Sequence, residues 1–262
     1  MLTASWRTRW RCLLLLGLLG AEPLPAAGPM VAAASDLKFA LDEIAADFTR
    51  VSGQSVTLTY GSSGTFATQI RHGAPFELFL SADESYVQQL HTEGRTRDGG
   101  ALYAIGRIVL IAAPGSALPV DPTFEGLGAF LAEGRLRRFA IANPAHAPYG
   151  RRAEEALRHA GLWDAIKPHL VLGENVSQAA QYATSGSADG GIVALSLALA
   201  PQMDRRIRYA VIPQDWHAPL RQRMVLLRRA SDQAAHFYRF LQEAAARAVM
   251  VRHGFTLPDA AP

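Results

Sequence analysis

Two serines and two glycines stand together in the run Tyr60-Gly61-Ser62-Ser63-Gly64-Thr65. Residues 55–59 before them are rich in β-branched side chains and read as a strand. A helical pattern carrying Phe66 and Ile70 follows. Where a strand turns into a helix, the first backbone N–H groups of the helix have no intrahelical acceptor. Hydroxyls and small residues at such a turn make a ready site for an anion. The loop holds no lysine or arginine, and the first nearby cation is Arg71. An anion bound here would be held by neutral dipoles.

Three other turns carry small, polar or sterically open chemistry: Ser35-Asp36, Pro148-Tyr149-Gly150 and Val176-Ser177. Each helix start presents roughly half a positive charge, and Ser35 and Ser63 add hydroxyl donors. Four such ends facing one cleft would neutralise a dianion without a salt bridge. Singly, each has a plainer explanation. Ser35 and Ser63 could be N-caps, worth about 1 kcal/mol of helix stability. Gly61 and Gly64 could be ordinary turn residues, Tyr149 could shape the turn after Pro148, and Val176 could simply pack. Asp36 is the misfit, because a carboxylate repels a bound dianion. Either its side chain turns outward to cap its helix while its N–H binds, or this turn lies outside the site.

Catalytic constellations are missing. No G-x-S-x-G surrounds any serine, and there is no Walker-type loop. The eight histidines are dispersed, without the spacing of a metal site. Asp215-Trp216-His217 reads as a loop, and Glu154-Glu155 as a solvated first turn of a helix. A secreted hydrolase using Ser63 as nucleophile would need a base, and the nearest histidine to these turns is His146.

The turns must be positioned by alternating strands and helices. A short buried strand over 30–34 precedes a helix in which Leu37, Ala40, Leu41, Ile44 and Phe48 recur at helical spacing. Strands at 55–59 and 78–80 and a helix from 81 to about 90 continue the alternation, which predicts a parallel α/β sheet. Residues 103–112 form one long apolar strand that could cross between lobes. A second α/β set follows, with strands at 139–142, 170–172 and 190–195. A strand over 224–227 would return to the first lobe, covered by an amphipathic helix over 237–251.

With 49% hydrophobic and 19% charged residues, the chain has the balance of a soluble globular protein. Arg7, Arg9 and Arg11 precede the apolar run 12–19, and small residues follow at Ala26 and Ala27, as in a secretory signal peptide. Removing residues up to about Ala27 takes three arginines and Glu22 from a formal net charge of +3. The body is then near neutral, which argues against a nucleic-acid partner. The single cysteine, Cys12, falls in that leader, so the exported body has neither disulfide nor cysteine ligand. A bacterial periplasm is the expected address.

Several segments, in order, resemble the periplasmic molybdate-binding proteins of molybdate ABC transporters. They are Val31-Ala32-Ala33-Ala34-Ser35, Gly61-Ser62-Ser63-Gly64-Thr65, Gly73-Ala74-Pro75, Leu80-Ser81-Ala82-Asp83, Ala142-Asn143-Pro144 with Ala147-Pro148-Tyr149-Gly150, Glu174-Asn175-Val176, Gly191-Ile192-Val193-Ala194 and His253-Gly254-Phe255. The resemblance runs from about Val31 to Leu257. It implies a type II periplasmic-binding-protein fold: two α/β lobes joined by two crossing strands, with a tetrahedral oxyanion in the cleft. The expected division is a signal peptide over 1–27, a first lobe over 28–105 and 222–262, and a second lobe over 106–221. Ser35 and Ser63 would donate through hydroxyl and N–H, and Tyr149 and Val176 through N–H. One branch of the family adds a tyrosine hydroxyl after the Gly-Ile-Val strand. Ala194 stands there instead, while the Pro-Tyr-Gly turn matches a second branch and leaves open a hydroxyl contribution from Tyr149. Molybdenum or tungsten would enter only inside molybdate or tungstate, held through the same residues. No cofactor and no catalysis are implied, and the partner would be an inner-membrane ABC permease served by a monomer. The alternatives are a carrier for sulfate or for phosphate, the latter protonated and calling for an acceptor carboxylate, for which Asp36 is the only candidate in the four turns, and the hydrolase already described.

Overall fold

Residues 30–34 are apolar throughout because β1 (Met30–Ala34) lies inside a sheet, with parallel neighbours β2 (Thr57–Gly61) and β3 (Leu78–Ser81) on either side. Strands covered on both faces lose the alternation of half-buried ones. The computed structural model describes residues 28–201, 203 and 207–258; the leader expected over 1–27 and Cys12 lie outside them. A single 3-10 turn (Ser35–Leu37) leads from β1 into α1 (Lys38–Ser52). Ala40, Leu41, Ile44 and Phe48 form the buried stripe of α1, and Gly53 ends it with φ 69°, a left-handed position suited to glycine. Helices α2 (Ser63–Arg71) and α3 (Glu84–Thr92) follow β2 and β3.

The apolar run expected as one strand over 103–112 is two strands, β4 (Ala101–Gly106) and β5 (Ile108–Ala112), parted at Arg107. The first strand pairs in one sheet and the second in another, so the chain crosses between lobes here. The second lobe then contains α4 (Glu125–Ala132), β6 (Phe139–Ala142), α5 (Pro148–His159), α6 (Trp163–Ile166), β7 (Leu170–Gly173), α7 (Val176–Thr184), β8 (Gly190–Ala194), α8 (Leu195–Ala198) and β9 (Arg208–Val211). Strand β10 (Leu220–Leu226) returns to the first sheet, antiparallel to β3 and β4. The two sheets have the orders β2-β1-β3-β10-β4 and β7-β6-β8-β5-β9.

Each sheet has its own core. Phe48, Leu41 and Phe237 pack on one face of the first sheet and Phe66, Phe76 and Phe79 on the other. Ile108, Leu110, Phe139 and Ile141 lie at the centre of the second. The helix expected over 237–251 is broken into α9 (Asp232–Phe240) and α10 (Ala244–Arg252). Phe237 and Phe240 lie 5.0 and 5.3 Å from the Phe48 ring, while Ala246, Val249 and Met250 bury a separate stripe. The break lets both stripes reach one core.

Glu154 and Glu155 lie in the middle of α5, not in a solvated first turn. Glu154 pairs with Arg158, and Glu155 pairs with Arg152 and accepts from the Ala218 amide at 2.8 Å. Asp215 and Trp216 fall in a 3-10 turn (Gln214–Trp216), whose Trp216 stacks on His159 at 4.7 Å. The connection back to β10 is thereby tied to the flank of α5.

Candidate functional site

The turns after β1, β2, β6 and β7 meet where the carboxyl ends of the two sheets face each other. They border one small cleft, lined by Ser35, Asp36, Ser63, Tyr149 and Val176 among others. Among the described residues no lysine or arginine lines it. Ala194, at the end of β8, is buried and does not line it either.

Neither serine is spent on capping. The N-cap of α2 is Ser62, whose Oγ accepts from Thr65 N at 3.3 Å, and the 3-10 turn at Ser35 has Ala34 as its uncapped start. Ser63, with no exposed surface, accepts from Ala82 N at 2.9 Å. Ser35 Oγ accepts from Ser177 N at 3.2 Å, and its carbonyl accepts from Ser177 Oγ at 2.8 Å, across the two lobes. A hydroxyl has two lone pairs and one proton. Each serine, anchored as an acceptor, keeps its proton for donation. On the facing lobe Tyr149 follows Pro148, the first residue of α5, and Val176 is the first residue of α7, capped by Asn175 Oδ1 on Gln178 N at 3.1 Å. Amides at these positions have no intrahelical acceptor, so four helix starts can give neutral donors to one small anion.

Asp36 follows neither course expected of it. Its side chain points inward, with the residue 1% exposed, and its turn does line the cavity. Oδ2 accepts from Tyr149 Oη at 2.9 Å and from Gln222 Nε2 at 2.6 Å. Tyr103 extends the network by donating to Gln222 Oε1 at 2.7 Å. The Tyr149 hydroxyl, a candidate ligand donor in the sequence, is therefore engaged with Asp36. Burial pushes the Asp36 carboxyl up from 3.8 to about 6, against the lowering effect of the Gln222 and Tyr149 bonds and of nearby backbone N–H groups. Burial, then the Asp36 charge, holds Tyr149 well above the ordinary tyrosine value.

This network joins residues far apart in the chain. One signal for it is present in β10, where Leu220, Gln222 and Met224 share a buried face. A glutamine in that position must find polar partners inside.

A second cross-lobe contact surrounds His146. Its carbonyl accepts from Gly64 N at 3.0 Å, and its Nδ1 lies 2.9 Å from Ser62 Oγ. Ser62 Oγ donates to Thr65 Oγ1 at 2.8 Å, and Thr65 Oγ1 donates to Glu174 Oε1 at 3.1 Å. With the serine proton given to Thr65, His146 Nδ1 is the donor to Ser62. A general base would have to accept that proton. The histidine also meets Ser62, not Ser63, so the hydrolase expected of Ser63 has no base within this geometry. His146 serves as a bridge between lobes, a role with no local signal, because its partners lie on the other lobe.

The family model for bacterial extracellular solute-binding proteins matches residues 29–256. The molybdate-binding protein ModA of Rhodobacter capsulatus is 37% identical over 246 residues, covering 92% of this chain and 93% of that protein. The solved periplasmic molybdate-binding protein of Azotobacter vinelandii superposes with a TM-score of 0.78 at 31% identity, over 88% of this chain and 99% of that one. The sulfate-binding protein SubI of Mycobacterium tuberculosis has a TM-score of 0.73 at 15% identity, over 89% of this chain and 88% of its own, and shares the fold.

Proposed function

The chain belongs to the bacterial extracellular solute-binding protein family, and from that premise we propose that it captures molybdate between its lobes and delivers it to an ABC permease. It is a transport component and not an enzyme. The observation that carries the ligand class is the cavity itself: small, without a cation among its described lining residues, and bordered by Ser35, Ser63, Tyr149 and Val176. Neutral donors suit a carrier, because a dianion held without salt bridges can be released again. Ser35 and Ser63 give hydroxyl and amide protons, and Tyr149 and Val176 give amide protons.

Capture proceeds by closure of one lobe on the other. An anion that touches donors on both lobes stabilises the closed state by its additional contacts there. Tungstate is close in size to molybdate and is expected to bind as well. Sulfate is smaller, and in a cavity shaped for molybdate it leaves buried donors unpaired, at about 1–3 kcal/mol each. The chain acts as a monomer in the periplasm after removal of residues 1–27, and the closed form docks on an inner-membrane permease. N-terminal sequencing of the exported protein tests the leader.

One feature favours a second reading. Asp36 lines the cavity, and an ionised carboxylate there would accept a hydrogen bond from a protonated oxyanion such as hydrogen phosphate. Calorimetry with molybdate, tungstate, sulfate and phosphate separates the two. Tight binding of the first two alone supports the proposal. Equal sulfate affinity, phosphate preference or no oxyanion binding overturns it.

A further inference from the structure

Among the described residues lining the cavity, Asp36 is the only carboxylic acid. Its two oxygens are treated differently. Oδ2 receives Tyr149 Oη and Gln222 Nε2, whereas Oδ1 is buried without a hydrogen-bond partner. An ionised carboxylate is only an acceptor, and a buried oxygen left unserved is costly. A neutral carboxyl gains a donor, and the natural acceptor for it is an oxygen of an anion in the same cavity.

The groups around Asp36 do not supply a compensating charge. Tyr149 faces it from α5, Tyr103 from β4 and Gln222 from β10, while Ser196 of α8 donates to its backbone carbonyl at 2.7 Å. Both tyrosines are held well above their ordinary value by burial and remain neutral. None of the side-chain hydrogen-bond partners of Asp36 is a cation. A dianion placed beside this carboxyl meets either a like charge in a poorly screened space or a neutral acid.

We propose that Asp36 is a proton-carrying residue of the oxyanion site, entering the complex as the neutral acid so that each captured dianion brings one proton with it. The inference rests on the oxyanion-carrier reading and deepens it. Donors of this kind would meet the oxide oxygens of an oxyanion, so the proton on Asp36 would not compete with a bond to its central atom. With the lobes together, burial pushes the carboxyl up to about 6, and a bound anion would move it higher. Apparent affinity then falls by up to tenfold per pH unit above about pH 6, until the pH reaches the titration point of the complex.

The test is calorimetric titration of the exported protein with sodium molybdate from pH 6 to 9, in buffers of differing ionisation heat. At pH 7.5 the proposal expects uptake of close to one proton per molybdate and an affinity that weakens with rising pH. Asp36→Asn, which cannot ionise, is expected to show neither uptake nor slope. Molybdate binding by the wild type with no buffer-dependent heat and a flat pH profile would overturn the proposal alone. Equal uptake by the Asn variant would move the proton to another group and overturn it too. Absence of molybdate binding at every pH would overturn the carrier reading, and this inference with it. The wild-type proton count stands whether or not the variant folds.

Discussion

The hydroxyl of Tyr149, on the second lobe, donates to the carboxylate of Asp36, on the first, at 2.9 Å in a fully buried space. The two residues are 113 positions apart and meet only when the lobes are together. With Asp36 neutral in the complex, a hydrogen bond of this kind is worth about 0.5–1.5 kcal/mol, gained on closing and lost on opening. Tyr149→Phe is therefore expected to weaken molybdate binding by roughly 2- to 12-fold while each lobe keeps its own packing. Calorimetry together with the urea midpoint of the ligand-free protein checks this. An unchanged affinity would show that the pair does not report closure.

The two serines should respond differently to alanine. The partner of Ser63 Oγ is Ala82 N, within the first lobe, whereas that of Ser35 Oγ is Ser177 N, on the second. Ser63→Ala leaves a buried amide unpaired even in the open protein, at about 1–3 kcal/mol. It is expected to lower both apo stability and molybdate affinity. Ser35→Ala is expected to lower affinity with little change in apo stability. The comparison needs only a denaturation curve and a binding isotherm for each variant, and equal destabilisation of the apo proteins counts against it.

These contacts show what the sequence could and could not reveal. The strand-to-helix turns at Ser35, Ser63, Tyr149 and Val176 were legible because the physics that marks them is local: apolar runs, small residues and the start of a helical period. The strand break at Arg107 was not, since an apolar run over 103–112 looks the same whether or not it changes sheets. The direction of the Asp36 side chain was likewise hidden, because its partners lie on α5 and β10. The cap reading of Ser63 illustrates a nearer limit. Ser62 and Ser63 are adjacent and chemically alike, and only the backbone decides that Ser62, with φ −84° and ψ 146°, is the N-cap.

Gly64 marks a close approach between lobes. A Cβ built there would lie 2.5 Å from the His146 carbonyl oxygen and 2.7 Å from the Tyr86 hydroxyl. Within a single lobe, Gly→Ala in a helix is favourable by up to about 1 kcal/mol. The Tyr86 hydroxyl, the far end of a side chain on the same lobe, must swing aside, whereas the His146 carbonyl is backbone of the second lobe, so Gly64→Ala should hold the lobes apart at little cost to the first. The expected outcome is at least tenfold weaker molybdate binding with an equal or higher apo melting temperature. Preserved affinity would mean that the lobes close with a different register at this point.

Asp36 should also leave a signature in the pH dependence of stability. Its folded-state value of about 6 lies above the ordinary 3.8, so the closed protein binds this proton more tightly than the unfolded chain does. The associated stability is present below about pH 4 and is lost as pH rises through 6. A shift of this size corresponds to about 3 kcal/mol. Relative to wild type, Asp36→Asn is expected to gain stability between pH 4 and 7 and to show a constant difference above that. Parallel unfolding free energies for the two proteins at pH 4.5 and 7.5 would contradict the burial-driven shift.

The His146 bridge is expected to prolong the closed state. Its imidazole reaches Ser62 at 2.9 Å and lies 3.5 Å from Glu174 Oε2, a carboxylate whose other oxygen accepts from Thr65. Ser62 also caps α2 within the first lobe, whereas the side-chain contacts of His146 and Glu174 with Ser62 and Thr65 run between the lobes. Glu174 is also more than half exposed, so its pairing is screened and worth little by itself. The part-buried His146–Ser62 bond is the stronger part, at about 0.5–1.5 kcal/mol. His146→Ala removes it without touching the His146 carbonyl that receives Gly64 N. The expected result is a release rate for molybdate raised by roughly 2- to 12-fold, with little change in association rate, because the bridge forms only as the lobes come together. Stopped-flow displacement by excess tungstate measures the rate directly. Faster release in His146→Ala, together with a much smaller change in Glu174→Gln, is the pattern this geometry requires, and the reverse order would place the holding contact at Glu174 instead.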